Sequence, residues 1–407
     1  MAVVPVAAGR MQRLLPPLSM AIPLAIIGIA VLTIPLATAQ ALALTPQQTG
    51  AWLFVLYAMP GLLSLVLTRV YRQPLFLGWN VAIVVFLASL AGQVRYTDLL
   101  GATLVGGAVV ALLGALGLTT RVAALVPAPV VFAVVAASLL PFVVGVFDAL
   151  GQEHVVIAGT LLAYVLGQRF FGPRVPPILP ALVAGLLLTG VTGRYGALPN
   201  AWSAPPLALT MPTFSLEAIL TVVPVFVALI ALQSNLTAVV YMRSQGYRPP
   251  ARLIDVVSGL GSVAGSVLGP VPVCMVALFT PLTAGPEAGD REVRHWSVYA
   301  AGTLLILIAL GSGIAAHLPL FLPVPLLLAV AGLALVGVLA QTLGEMLRGP
   351  LLLGPLFAFA VASSGLTLFG LGPLFWALII GTGVSIVLEA AALHKLRTTE
   401  VAGTGEE

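Results

Sequence analysis

Two stretches decide how this chain folds: Arg72-Gln-Pro-Leu-Phe-Leu-Gly-Trp-Asn80, which runs on to Gly92, and Gly269-Pro-Val-Pro-Val-Cys274, which runs on to Gly285. Each opens on an extended segment marked by Pro or Gly and continues into an apolar run. From Asn80 to Ala91 is twelve residues, about 18 Å of helix. From Pro272 to Ala284 is thirteen, about 20 Å. Neither crosses a hydrocarbon core of about 30 Å. Asn80 suits an N-cap, and Pro272 suits a first helical turn, where its missing N–H costs nothing. The expectation is two half-helices whose N-termini meet near the bilayer centre, with unpaired N–H groups and positive dipole ends facing one point. Such a point favours an anion. The alternative is two ordinary short or tilted spans broken by prolines.

Composition supports the membrane setting. The chain has 407 residues, 60% hydrophobic and 7% charged, where a soluble domain carries about 25% charged. This excludes a soluble enzyme. A single cysteine, Cys274, excludes a disulfide scaffold. The net charge of +4 comes from arginines scattered one or two per loop, so nucleic-acid binding is not expected.

Apolar runs bounded by Arg, Pro and Gly give fourteen candidate spans, near 18–39, 51–68, 74–91, 98–117, 122–147, 152–168, 175–192, 217–242, 251–268, 271–284, 295–314, 319–342, 350–369 and 371–392. The expected fold class is an all-α polytopic membrane protein. Residues 1–192 hold the first seven spans, 193–216 a connecting loop, 217–392 the second seven, and 393–407 a cytoplasmic tail. Seven helices per half means that the second half enters with opposite orientation, which predicts a 7+7 inverted repeat with half-helices at spans 3 and 10. With the N-terminus inside, the cytoplasmic ends hold every Lys and Arg except Arg95 and Arg194. That bias predicts cytoplasmic termini in a bacterial inner (plasma) membrane. Ala37-Thr38-Ala39 before Gln40 imitates a signal-peptide cleavage site. The run 18–37 is of full bilayer length, so it is read as an uncleaved first helix.

Ionisable residues at membrane depth are functional candidates by default, and here they are scarce. Asp255 lies near the start of the ninth span, with Arg252 three positions earlier on the same face, so an interfacial ion pair is expected; a proton-linked role is the alternative. The histidines map to loops or ends, which leaves metal ligation, cofactor binding and acid–base catalysis without support. Uncharged polar groups do cluster. Gln233, Ser234 and Asn235 sit mid-span after Pro224, and Thr33, Thr38 and Gln40 lie in the first span. These line a cavity or bond neighbouring helices. Trp79 beside Asn80 is placed to stack on a planar ligand, or simply to pack. The loop Gly285 to His295 is a solvated turn that also caps the second half-helix. Gly101, Gly106 and Gly107, with Gly259, Gly261 and Gly265, have the spacing of close helix packing.

Three stretches, Leu44-Thr-Pro-Gln-Gln-Thr-Gly-Ala-Trp52, Gly246-Tyr-Arg-Pro-Pro250 and Thr283-Ala-Gly-Pro-Glu-Ala288, resemble the benzoate membrane transporter (BenE) family, over about Leu18 to His394. The resemblance implies a relative of the nucleobase–ascorbate and sulfate permease fold. It implies a core of spans 1–4 and 8–11, a gate of spans 5–7 and 12–14, substrate held between the two half-helices, an elevator-like mechanism, and proton-coupled import of aromatic acids. Trp79 and Gln233 match family motifs. The chain departs from them at Asn80-Val-Ala-Ile-Val84, at Ser234-Asn235-Leu236-Thr237, and at Pro270-Val-Pro272 and Met275, where the family carries Gly-Gly-His and a later Asn.

The sequence is therefore read as a secondary carrier, not an enzyme, for a small planar organic anion such as benzoate. Trp79, Asn80 and Val81, Gln233, Ser234 and Asn235, and Val273, Cys274 and Met275 are the expected pocket, and Asp255 is the candidate for any proton linkage. The expected partners are this anion and the lipid bilayer, with a homodimer through the gate left open. The alternatives are a passive anion channel or uniporter of the same fold, a carrier of neutral compounds such as nucleobases, and a membrane scaffold that transports nothing.

Overall fold

The computed structural model describes residues 14–394, apart from 21–23, 25–27, 29–30, 120, 122–125, 172–174, 197–203 and 370. The tail from residue 395 onward, the middle of the 193–216 loop, and Arg10, Arg13, Arg174, Lys395 and Arg397 lie outside the described residues.

The chain is helical and apolar. The first half contains α1 (Thr33–Ala41), α2 (Pro46–Tyr71), β1 (Leu77–Trp79), α3 (Val81–Ser89), α4 (Tyr96–Leu116), α5 (Ala128–Gln152), α6 (His154–Phe170) and α7 (Ile178–Val191). The second contains α8 (Leu216–Ser244), α9 (Ala251–Gly265), β2 (Val273–Met275), α10 (Thr280–Ala284), α11 (His295–Leu310), α12 (Ser312–Phe321), α13 (Val324–Met346), α14 (Leu353–Ala362) and α15 (Pro373–Leu388). Among the described residues five helices, α2, α4, α5, α8 and α13, are long and apolar enough to cross a membrane, and α11 with α12, bent by 53°, makes up to six. Shorter apolar helices, α6, α7, α14 and α15, lie among them. α1 is buried from Thr33 to Ala39 and packs on α3 and α13.

Two expectations are corrected, and one span carries an irregularity. The fold is not all-α: β1 and β2 pair antiparallel, with Leu77 opposite Met275, Gly78 opposite Cys274 and Trp79 opposite Val273. The tenth span does not begin a helix at Pro272, because Val273 to Met275 are extended and helix resumes only at Thr280. Pro270 and Pro272 donate no N–H, which suits extended backbone as well as a first turn. The eighth span is not regular: Leu229–Leu236 forms a π-helical stretch after Pro224. Pro224 withholds an N–H from the ladder, and a π-bulge re-aims the side chains beyond it.

Both strands are held from behind by a serine. Leu77 donates its N–H to Ser64 Oγ at 2.8 Å and accepts from the same hydroxyl at 3.0 Å. Val273 donates its N–H to Ser262 Oγ at 3.0 Å. Ser64 lies on α2 and Ser262 on α9. Trp52 on α2 donates Nε1–H to the Pro270 carbonyl at 2.8 Å. At the neighbouring Gly269, φ is +155° and an added Cβ would lie 2.6 Å from Trp52 Cγ, so only glycine fits there.

The glycine pattern does the packing expected of it. α4 and α9 meet at backbone distance: a Cβ on Gly107 would lie 2.9 Å from the Gly259 carbonyl oxygen, and one on Gly114 would lie 2.6 Å from Asp255 Cβ. The main apolar core surrounds the two strands, α2, α3 and α8. A smaller second core lies between α5, α6, α7 and α13.

At the surface, Arg294 donates to the carbonyls of Ala284 at 2.7 Å and Gly289 at 2.8 Å, so it caps α10 and closes the Gly285-Pro-Glu-Ala turn. Arg291 sits 5.0 Å over the Tyr247 ring. Burial pushes the Tyr247 phenol pKa up, against the pull of the Arg294 and Arg291 charges.

Candidate functional site

α3 starts at the end of β1, and the chemistry of that start comes from Asn80. Its Oδ1 accepts the Ile83 N–H at 3.0 Å, the expected N-cap. Its Nδ2 donates to Ser234 Oγ at 2.7 Å and to Gln233 Oε1 at 3.3 Å, which ties the third span to the π-helical stretch of α8. The main-chain N–H groups of Val81 and Ala82 meet no acceptor among the described residues. They are the orphan donors of a helix start. Across the ladder, Cys274 lines the same cavity as Ser234.

These groups form the inner end of a cavity of about 1530 Å³. Small-molecule pockets run to about 1,000 Å³, so this one is a vestibule rather than a closed pocket. One wall carries Trp79, Asn80, Val81, Gln233, Ser234 and Cys274; α5, α6, α7 and α13 supply the other. The lining also includes the exposed Arg121 and Arg348, with Glu345 bonded to Arg348 at 2.7 Å. Because Glu345 offsets Arg348, these three side chains carry a net charge of +1, which favours anions.

Six of the nine expected pocket residues thus border one cavity. Asn235, Val273 and Met275 do not. They sit behind the wall, with Asn235 only 2% exposed. The reason is geometric. Residues 233–235 are consecutive on a helical segment and cannot all face one side, and in a strand the neighbours of Cys274 point away from the face that Cys274 takes. Asn235 bonds backward: its Oδ1 accepts the Met275 N–H at 2.8 Å and its Nδ2 donates to Asp255 at 2.8 Å. Thr38 and Gln40 are not on the cavity wall either.

The ion pair expected between Arg252 and Asp255 is not formed. Among the described residues the salt bridges are Arg95–Asp98, Arg194–Glu153 and Arg348–Glu345. Asp255 turns inward to Asn235 instead, and it is 7% exposed.

Apart from Trp79, the aromatic wall has no counterpart among the sequence expectations. Tyr57 packs edge-on to Trp79, ring centroids 5.9 Å apart and planes at 77°. Phe76 and Phe279 pair in the same manner at 6.1 Å, and Phe132 of α5 lines the same cavity. Single aromatics in apolar runs carry no signal of this kind in sequence, because they read as core. The chemistry available is planar and apolar contact, amide and hydroxyl groups, and two free N–H donors.

Comparison with known proteins gives the family and the fold. The profile of the family described as "Benzoate membrane transport protein" matches residues 16–387. The "Inner membrane protein YdcO" of Escherichia coli (strain K12) is 28% identical over 352 residues, covering 86% of this chain and 89% of its own. The "Benzoate membrane transport protein" of Acinetobacter baylyi is 22% identical over 345 residues, covering 84% and 87%. Two solved structures share the fold. The transmembrane domain of the cyanobacterial bicarbonate transporter BicA superposes with a TM-score of 0.54 at 18% identity, over 91% of this chain and 97% of that one. The murine Solute Carrier 26 family member A9 anion transporter superposes with a TM-score of 0.58 at 14% identity, over 96% and 73%. With a family profile spanning nearly the whole chain and a fold shared with multi-pass membrane transporters, the chain belongs to the benzoate membrane transport protein family.

Proposed function

We propose that the protein is a secondary transporter that moves benzoate or a related aromatic acid across a bacterial inner membrane. The observation that carries this reading is the composition of the cavity's inner end. Two unpaired helix-start N–H groups, of Val81 and Ala82, sit beside Asn80, Gln233 and Ser234, within an aromatic surround that includes Trp79 and Tyr57. A carboxylate suits the donors, and a planar ring suits the aromatic walls.

The transport cycle is built on the same arrangement. The fourteen segments form a 7+7 inverted repeat, and the matched roles of Ser64 and Ser262, each on the second element of its half and each holding a strand, support that symmetry. Spans 1–4 and 8–11 form the core domain, which carries the site. Spans 5–7 and 12–14 form the gate, supported by the separate apolar cluster of α5, α6, α7 and α13. The core slides against the gate in an elevator-like motion, both termini are cytoplasmic, and the vestibule lined in part by Arg121 and Arg348 opens to the cytoplasm. A homodimer through the gate fits this motion, because it holds the gate still.

The deciding experiment is labelled benzoate uptake into proteoliposomes, with and without an inward proton gradient, and with uracil and sulfate in parallel. Saturable benzoate uptake supports the reading, and its response to the gradient separates a symporter from a uniporter. Flux that never saturates means a channel. Uracil uptake in place of benzoate means a carrier of neutral compounds.

A second expectation concerns Cys274, which lines the cavity and is the sole cysteine. Benzoate at saturating concentration should slow its modification by a maleimide several-fold, and no reagent-blocking mutation is needed elsewhere. Unchanged labelling places the ligand away from the strand.

A further inference from the structure

Behind the cavity wall, three spans are joined by one chain of hydrogen bonds. Asp255 on α9 accepts from Nδ2 of Asn235 on α8 at 2.8 Å, and Oδ1 of Asn235 accepts the N–H of Met275 on β2 at 2.8 Å. Nδ2 also reaches Ser258 Oγ at 3.2 Å. The strand pairing leaves the Met275 N–H without a backbone partner. Leu77 and Met275 form a non-hydrogen-bonded pair of the antiparallel ladder, so their N–H and carbonyl groups turn away from each other, those of Leu77 to Ser64. Met275 must therefore find a side-chain oxygen.

An asparagine amide offers an oxygen and a nitrogen of nearly the same size, so shape alone does not decide which one faces the strand. A carboxylate does decide it, since it accepts and never donates while ionised. Asp255 is also fixed in place, because a Cβ on Gly114 of α4 would lie 2.6 Å from the Asp255 Cβ. The other strand N–H groups held by side chains, those of Val273 and Leu77, go to hydroxyls that need no such orientation.

We infer that Asp255 is a positioning residue for the transport site: it orients the Asn235 amide so that Oδ1 grips the Met275 N–H and holds the strand that presents Cys274 to the cavity. The inference rests on the reading of that cavity as the substrate site. It separates Asp255 from the role of proton carrier, which a membrane-buried carboxylate otherwise suggests.

The test is maleimide labelling of Cys274 in the full-length protein in proteoliposomes, with benzoate uptake measured on the same preparations. Asn235→Asp sets a second carboxylate against Asp255 and removes the amide donor. Cys274 should then label about tenfold faster, as expected when a buried N–H loses its hold, and uptake should fall. Asp255→Asn replaces an obligate acceptor with an amide that can also donate, so the Asn235 orientation is no longer fixed: Cys274 should label several-fold faster, and uptake should fall with and without the gradient alike. The double variant, Asn235→Asp with Asp255→Asn, reverses donor and acceptor. The carboxylate at 235 then accepts from both Met275 and the amide at 255, and slow labelling should return. If Asn235→Asp does not fold, recovery of folded protein in the double variant reads the same pairing.

Loss of gradient-driven uptake in Asp255→Asn with Cys274 still labelling at the parent rate overturns the inference and makes the carboxylate a proton carrier. Failure of the double variant to restore slow labelling overturns it as well. If the parent protein shows no benzoate uptake but the labelling order holds, the positioning role stands and the substrate assignment falls.

Discussion

Asn80→Leu is expected to weaken the apparent affinity of saturable benzoate uptake about 100-fold while the protein remains folded in the membrane. Three bonds depend on this one side chain: the cap on Ile83 and the links to Ser234 and Gln233. Loss of an N-cap costs about 1 kcal/mol. A buried acceptor left unsatisfied costs about 1–3 kcal/mol more. Part of that cost falls on the fold, but most falls on the inner end of the cavity, where the start of α3 must be aimed at the anion. A drop in affinity of about 100-fold results if some 2.7 kcal/mol is lost from binding. Uptake kinetics in proteoliposomes, beside the melting temperature of the purified protein, check this. Parent-like uptake with the cap removed would falsify the placement of the site at the β1–α3 junction.

The second large effect is structural. Gly259→Val should leave little or no folded protein. A Cβ on Gly259 would strike the Gly107 carbonyl oxygen and the Ala111 amide, both main-chain atoms that no rotamer change can clear. α4 and α9 would have to separate along their length. Overlap of this kind typically costs about 4 kcal/mol or more, a large share of the stability of any domain. The readout is the yield and monodispersity of detergent-solubilised protein. A control at Gly145, which has nothing within 4 Å of an added Cβ, should tolerate alanine.

Much of the fold is legible in the chain and some is not, for physical reasons. The third span is readable because Asn80 is a specific N-cap signal and the apolar run after it is too short to cross. The tenth misleads because Pro270 and Pro272 fit a helix start and an extended strand equally well. Only the partner strand, almost two hundred residues earlier, decides between them. The Gln233 to Asn235 run is recognisable as polar groups at depth. Which of the three faces the cavity depends on a π-helical register that no local pattern announces. Sequence spacing pairs Asp255 with Arg252 because it shows helix neighbours only, and the amide that takes Asp255 comes from another helix. The family resemblance, by contrast, rests on loop motifs, and these hold: Arg294 ties down the Gly285-Pro-Glu-Ala turn, and Tyr247 stacks beneath Arg291.

The free donors at the inner end of the cavity belong to the main chain of Val81 and Ala82, and this bears on how such a protein changes over generations. A mutation can replace a side chain but cannot delete a peptide N–H, short of proline. The capacity to receive an anion is thus shielded from most genetic drift. What drift can alter freely is the aromatic lining, Tyr57, Phe76, Trp79, Phe132 and Phe279, which sets the outline of what the anion is attached to. Lineages built on this scaffold should therefore diverge in cargo size and shape long before they lose the taste for negative charge.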